Sequence, residues 1–282
     1  MKPFAKYSLL AGVLAAAIAA AGCNQLKARD QLNRGVQAFK NAQFNQAIEN
    51  FQTAIQLDPT LVNAKIYLAT AYQAQFIPGA PSEDNLKLAQ QAMDEYKVIL
   101  DQQPDNANAV AGIARLDYDM NNLDEAESYY KKSLTINPND PSAYYTLGAI
   151  AYQKTNRGIV TARTSLGVTD LNAPMVPAKK APPNAKKQCE ALASQDSAII
   201  DDGIAQLNKA LQLRPDYDDA MTYLNLLYRE KGDLTCGNDT ERQADLKIAS
   251  DFAARGIAAR KAAVARANKQ GSGGVVIDTK PN

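Results

Sequence analysis

The sequence contains no histidine and no tryptophan, and its three cysteines stand at Cys23, Cys189 and Cys236. Histidine is the most frequent general base, the partner of serine or cysteine in nucleophilic dyads, and the most frequent metal ligand. The sequence also has no phosphate-binding loop, dinucleotide fingerprint or nucleophile elbow. We therefore predict a protein that is not an enzyme and that uses neither a cofactor nor a metal.

The charges are nearly balanced, with 31 lysines and arginines against 30 aspartates and glutamates in 282 residues. Domains that bind nucleic acid usually carry a strong excess of basic residues. The balance predicts that nucleic acid is not a partner. The length is sufficient for one or two domains of ordinary size.

The first 22 residues follow the pattern of a secretory signal peptide. A short basic stretch precedes an apolar run from Leu9 to Ala21, and small residues follow up to Cys23. The alternative is a transmembrane helix, but this run is shorter than the roughly 20 apolar residues that cross a bilayer. We predict a signal peptide over residues 1–22 and a location outside the cytoplasm.

The end of this segment, from Ala20 to Cys23, resembles the lipobox of bacterial lipoproteins, although alanine stands where leucine is usual. The resemblance implies that Cys23 is the lipid attachment site and that residues 23–27 form an anchor and linker. It also implies a periplasm-facing protein held on a bacterial membrane, and Asn24 slightly favours the outer membrane. Cleavage that leaves Cys23 an unmodified thiol is the alternative.

A helical pattern recurs in the rest of the sequence. Ala47, Phe51 and Ala54 lie four and three residues apart, which places them on one helical face. Four helical segments are each followed by a proline in a similar sequence context, and these prolines are Pro59, Pro104, Pro138 and Pro215. The second and third of these prolines are 34 residues apart, and the other intervals are longer, which indicates repeats with insertions.

This pattern resembles the tetratricopeptide-repeat family over about residues 28–265. The residues that carry the resemblance include Gly35, Leu68, Ala69, Tyr72, Ala92, Tyr96, Ala114, Ala126, Tyr130, Leu147, Gly148, Leu207, Ala210, Leu224 and Tyr228, together with those named above. The run from Asp216 to Lys231 is also similar to uncharacterised tetratricopeptide proteins of acidobacteria. The resemblance implies an all-α solenoid of about five helix-turn-helix repeats with a long C-terminal capping helix.

The repeats define the expected domain boundaries. We predict a solenoid over residues 28–270, with repeats at 28–61, 62–106, 107–140, 141–217 and 218–270, insertions at 75–86 and 155–187, and a flexible tail over 271–282. Ser82 is expected to cap the helix after the first insertion. In the capping helix, Asn238 is expected to pair with Glu241 at the start. Its predicted inward stripe comprises Leu246, Ala249, Ala253 and Ile257.

The second insertion contains four prolines and several basic residues, so we predict that it does not pack tightly. A solvated loop and a lid that contacts a partner are the two alternatives. Cys189 and Cys236 each stand just before the second helix of adjacent repeats, and equivalent positions on adjacent repeats should be neighbours. We predict a disulfide between them, with two buried thiols as the alternative.

By the register of the family, first-helix residues line a concave groove that receives a peptide or helix. The groove residues are expected to be Phe39, Asn63, Ile66, Gln73, Asn108, Arg115, Tyr118, Tyr145 and Tyr152. Tyrosine and arginine suit interface anchoring. The alternative is that these side chains pack only on neighbouring repeats or on the insertion.

The sequence therefore predicts a non-enzymatic scaffold that binds other envelope proteins through its groove and the membrane through its lipid anchor. The alternative function is structural. In that case the basic insertion and the C-terminal helix would contact anionic polymers of the envelope or cell wall.

Overall fold

A computed structural model describes residues 23–170, 172–177 and 181–271, with side chains placed up to residue 268. Every regular element within these ranges is a helix, which confirms the predicted all-α class. The helices are α1 (23–40), α2 (Phe44–Leu57), α3 (Val62–Gln75), α4 (Glu83–Gln102), α5 (Ala107–Asp119), α6 (Leu123–Ile136), α7 (Pro141–Ser165), α8 (Ala185–Leu213), α9 (Asp218–Asp233) and α10 (Asp239–Gly271). The predicted signal peptide and residues 272–282 of the predicted tail lie outside the described residues, and residues 23–27 are part of α1.

The helix ends follow the signals in the sequence. Each of the four recurring prolines stands two residues after the last residue of a helix, namely α2, α4, α6 and α8. Ser82 accepts a hydrogen bond from the backbone N–H of Asn85 at 3.3 Å, so it caps α4 as predicted. Asn238 accepts one from the backbone N–H of Glu241 at 3.3 Å and caps α10.

The described part of the chain divides into two compact units, with the boundary between Ile136 and Asn137. In the first unit, α1 to α6 form three helical hairpins, and each helix from α2 onward packs on the next. Phe51 is fully buried in the core of this unit. A Cβ at Gly35 would lie only 2.4 Å from the Phe51 ring, so α1 and α2 approach each other where the sequence places the glycine.

The second unit consists of the hairpins α7–α8 and α9–α10, with α9 packed on both α7 and α8. Its core contains Ile159, Ile200, Leu207, Leu224 and Leu227. A Cβ at Gly148 would lie 2.3 Å from Leu207 Cγ, so this glycine sets the close approach of α7 and α8.

The second insertion packs more tightly than we predicted. Its first residues continue α7 as far as Ser165, and α8 begins at Ala185, so Cys189 lies inside the helix and not before it. Between the two helices, Met175 is fully buried and Val176 is 7% exposed. The prediction depended on the prolines and basic residues of this segment. Two apolar residues stand among them in the sequence, and burial of their side chains anchors the segment.

The capping helix departs from prediction at one position. Ala249 is fully buried, and Leu246 and Ala253 are half-buried, but Ile257 is 59% exposed. The prediction that Ile257 points inward is therefore wrong, because no helix of the described chain follows α10 to cover this face. None of the described helices contains an apolar stretch that would be sufficient to span a bilayer.

Candidate binding cleft on α7 and α9

A cleft of about 480 Å³ lies on the second unit between α7 and α9, which are the first helices of their hairpins. The side chains that line it are Tyr152, Asn156, Ile159, Val160, Arg163, Asn172, Asn225, Leu226, Arg229, Glu230 and Asp233. Tyr152 is the predicted groove residue that lines it. Pockets of about 300–1,000 Å³ that combine apolar walls with a few polar groups are typical ligand sites.

Glu230 is the most unusual side chain of the cleft, because it is a carboxylate that is only 4% exposed. Its Oε2 lies 2.6 Å from Thr155 Oγ1, and its Oε1 accepts a hydrogen bond from Asn156 Nδ2 at 3.1 Å. Burial raises the pKa of Glu230 to about 7, and the two hydrogen bonds only partly oppose this effect. The carboxyl group therefore exchanges its proton near neutral pH.

One end of the cleft is formed by the insertion. Arg163 donates to Asp233 Oδ1 at 2.6 Å and to the backbone oxygens of Asp170 at 2.6 Å and Ala173 at 3.2 Å. Arg163 is 5% exposed, so these bonds satisfy a buried guanidinium. Arg242 of α10 donates to the backbone oxygen of Asn172. The insertion is thus held against the cleft from two helices.

Four tyrosines adjoin the other end of the cleft. The ring of Tyr145 lies 5.0 Å from that of Tyr217 and 5.5 Å from that of Tyr223, and the ring of Tyr152 lies 5.7 Å from that of Tyr223. Such centroid distances are those of favourable aromatic pairs. Tyr145 and Tyr152 are partly buried and also pack on the core of the unit, so these rings are fixed in place.

The predicted disulfide is confirmed. Cys189 and Cys236 are bonded, with their Cα atoms 5.5 Å apart, and the bond joins the first turns of α8 to the loop between α9 and α10. Val176 lies next to this loop, since a Cβ at Gly237 would be 3.7 Å from Val176 Cγ1. Cys23, the predicted lipid attachment site, is exposed and carries a thiol that forms no disulfide.

The remaining predicted groove residues lie on the first unit and serve different purposes there. Phe39 and Ile66 pack against its core, and Gln73 Oε1 accepts a hydrogen bond from Tyr96 Oη at 3.0 Å. Tyr118 is half-buried, whereas Asn63, Asn108 and Arg115 are exposed. Arg115 forms an ion pair with Asp119 at 2.7 Å. Of the predicted groove residues, Tyr152 lies in the α7–α9 cleft.

The register of the family did not point to Asn156, Val160, Arg229 or Glu230. A signal for Glu230 is nevertheless present in the sequence. Glu230 continues the stripe of Leu224 and Leu227 at helical spacing, and a carboxylate on an apolar stripe is a candidate functional group. Within residues 23–170, 172–177 and 181–271, no group of three or more carboxylate or cysteine side chains could hold a metal ion.

In each unit the helices pair and pack side by side, and in the second unit the first helices of two hairpins form a cleft. This arrangement is that of a helical-repeat protein. Residues 87–151 match a family model described as tetratricopeptide repeat. No curated protein sequence matches the chain.

Solved structures with the same fold are known. A crystal structure of MamA has a TM-score of 0.53 at 14% identity, and the match covers 82% of this chain and 96% of that one. A fragment of MamA, from residue 41 to the end, from Desulfovibrio magneticus RS-1 has a TM-score of 0.55 at 14% identity, with coverage of 84% and 96%. Identity at this level shows a shared fold alone.

The chain therefore has a tetratricopeptide-type helical fold, with a family match over residues 87–151, as its repeat pattern indicated. The lipoprotein character and the similarity to acidobacterial proteins stay predictions.

Proposed function

We propose that this protein is a non-enzymatic scaffold that binds a peptide or helix of a partner protein in the α7–α9 cleft. The observation that carries the proposal is the composition of the cleft, where Tyr152 and Val160 adjoin Asn156, Arg229 and Glu230. Interfaces favour buried aromatic and arginine anchors with a few polar groups that fix orientation. Tetratricopeptide repeats commonly bind protein segments on this face.

Glu230 of the cleft and the buried Thr155 lie 2.6 Å apart and could be mistaken for a catalytic dyad. A nucleophile must reach its substrate, and Thr155 is fully buried. Its hydroxyl also lies 3.0 Å from the backbone oxygen of Ala151, which makes it a structural group of α7. These features favour binding over catalysis.

We place the scaffold at the bacterial cell envelope, anchored through Cys23 and facing the periplasm. The signal-like sequence of residues 1–22 supports this location. The Cys189–Cys236 bond also supports it, because disulfides persist mainly outside the cytoplasm. The partners would then be other envelope proteins. Metabolic labelling with an alkyne fatty acid tests the anchor, and Cys23→Ser should abolish the label.

The alternative function, contact with anionic polymers through the insertion and α10, is less favoured. Arg260 forms ion pairs with Asp218 at 2.8 Å and Asp219 at 3.4 Å, and Arg266 forms one with Asp216 at 3.0 Å. These acids reduce the positive charge that α10 offers to a polymer. Polymer binding would weaken steeply with salt, whereas binding in the cleft would persist.

Photo-crosslinking from the cleft tests the proposed function. Val160 lines the cleft and is 49% exposed, and Val98 on α4 is 41% exposed and lies outside it, so the pair provides matched positions for p-benzoylphenylalanine. A partner should crosslink from position 160 and not from 98. Once it is purified, its affinity for the protein should fall about tenfold or more on Tyr152→Ala. Equal crosslinking from both positions, or unchanged affinity, would remove the cleft as the binding site.

A further inference from the structure

The charge around Glu230 is unbalanced. None of the ion pairs within the described part of the chain places a lysine or arginine against its carboxylate, which is held only by Thr155 and Asn156. The charges that act on Glu230 are carboxylates, Asp196 on α8 and Asp233 on α9, and both disfavour its ionised form. Asp196 is itself only 2% exposed. This part of the cleft wall is therefore negatively charged whenever Glu230 is ionised.

The arginines of the cleft do not correct this imbalance. Arg163 is committed to Asp233 and to the insertion, as described above. Arg229 lies 3.5 Å from Asn172 Oδ1 and, like Arg242, favours the ionised form of Asp233. The two cleft arginines and Arg242 of α10 therefore all act at the insertion end, and Glu230 is left without a cation.

We infer that the cleft accepts a lysine or arginine side chain of the bound partner, with its cationic group against the Glu230 carboxylate and its aliphatic stem along Tyr152 and Val160. The inference rests on the proposed function and names the chemistry that the cleft would recognise. A cation at Glu230 would form a charge-assisted hydrogen bond in a site that is largely removed from water. A tyrosine ring next to it adds attraction for a cation.

Binding should then depend on pH in a defined direction. Without a cation, Glu230 holds its proton up to about pH 7, and a bound ammonium or guanidinium favours the ionised carboxylate. Binding therefore releases a proton from Glu230, and affinity should rise by about tenfold between about pH 6 and pH 8. Asp196, Asp233 and Tyr152 also face this group, so the comparison must use a variant that alters Glu230 alone.

The experiment uses the intact protein and small probes. The probes are Nα-acetyl-lysine methylamide, its arginine counterpart, and Nα-acetyl-norleucine methylamide, which keeps the lysine stem and lacks the charge. Binding is followed by NMR on protein with ¹³C-labelled tyrosine rings, with the Tyr152 signal assigned by Tyr152→Phe. Glu230→Gln is the test variant, and Glu241→Gln on the exposed start of α10 is the matched control.

We expect the two cationic probes to shift the Tyr152 signal, more strongly at pH 8 than at pH 6, and the norleucine probe to bind at least tenfold more weakly. Glu230→Gln should abolish the preference for the cationic probes and its pH dependence, and Glu241→Gln should change neither. The glutamine side chain can keep the contacts that a protonated Glu230 makes, so we expect this variant to fold. Agreement of its tyrosine spectrum without probe with that of the unaltered protein checks the fold.

Two results would overturn the inference. One is that lysine and norleucine probes bind alike, and the other is that no probe shifts Tyr152 at any concentration tested. If a purified partner still crosslinks from position 160 and binds through Tyr152, the proposed function stands and only the cationic preference fails. If that partner also binds independently of Tyr152, the proposed function itself fails.

Discussion

Glu230 Oε2 lies 2.6 Å from Thr155 Oγ1, although the two residues are 75 positions apart in the sequence. When Glu230 is protonated, it can donate to Thr155, which in turn donates to the backbone oxygen of Ala151 at 3.0 Å. When it is ionised, Thr155 must give up the bond to Ala151 in order to donate to the carboxylate. The neutral form therefore satisfies every group, and this agrees with the raised pKa.

Glu230 should make the protein less stable as the pH rises. The folded state keeps the proton up to about pH 7, whereas the unfolded chain releases it near its ordinary value of 4.5. Between these values the folded state binds more protons, so the free energy of unfolding should fall by about 3 kcal/mol as the pH rises through this window.

Glu230→Gln should remove this dependence, since its amide can donate to Thr155 and its oxygen can accept from Asn156. Urea denaturation from about pH 4 to pH 8 measures the free energy of unfolding of both proteins. The stability of the variant relative to the unaltered protein should increase as the pH rises. Parallel stability curves would show that Glu230 does not carry the effect.

The disulfide should contribute substantially to the stability of the second unit. Cys189 and Cys236 close a loop with a sequence separation of 47, for which the chain-entropy model gives about 4 kcal/mol. We expect the double variant Cys189→Ala with Cys236→Ala to lose stability up to this amount in chemical denaturation. Cys23→Ser is the matched control and should be neutral, because Cys23 is exposed. An unchanged denaturation midpoint in the double variant would argue against a stabilising role.

Two glycines of α7 should respond in opposite ways to replacement by alanine. A Cβ at Gly148 would lie 2.3 Å from Leu207 Cγ, so Gly148→Ala forces the helices apart and should cost about 1–3 kcal/mol. At Gly158 the nearest side-chain atom would be Leu192 Cδ2 at 3.4 Å, an ordinary contact. Gly158→Ala should therefore stabilise the protein by up to about 1 kcal/mol through helix propensity. Thermal unfolding of both variants checks the contrast, and destabilisation of equal size at both positions would contradict it.

The insertion should depend on Met175 for its position. Met175 is fully buried, so Met175→Ala should cost about 2–5 kcal/mol and loosen residues 166–184. Limited proteolysis should then cut this segment faster than in the unaltered protein. Thr169→Ala, at an exposed position of the same segment, should leave the cleavage rate unchanged. Equal cleavage of both variants would mean that Met175 does not anchor the insertion.

Local patterns in the sequence predicted a large part of this structure. The prolines mark helix ends, and Ser82 and Asn238 cap the helices that follow them, because these effects act over only a few residues. Gly35 stands at the close contact with Phe51, and the pairing of the two cysteines followed from the repeat. The tetratricopeptide fold follows from helix-pair signals that recur along the chain, although insertions lengthen some of the intervals.

The binding cleft could be predicted only in part. Tyr152 was identified by its register, but Glu230, Asn156 and Val160 were not, because their role depends on which faces of α7 and α9 meet. The burial of Met175 was not predicted for a similar reason. The composition of a segment does not show which other residues a single apolar side chain will contact in the folded protein.

Short-range spacing and recurring residue patterns are sufficient to specify the all-α repeat, the helix ends and the disulfide partners. The position of Glu230 without a cation in the wall of a cleft, and the insertion that closes one end of this cleft, follow only from the packing of the helices. These features depend on contacts between residues some 70 positions apart, such as Arg163 with Asp233 and Asn156 with Glu230, and local patterns do not encode such contacts.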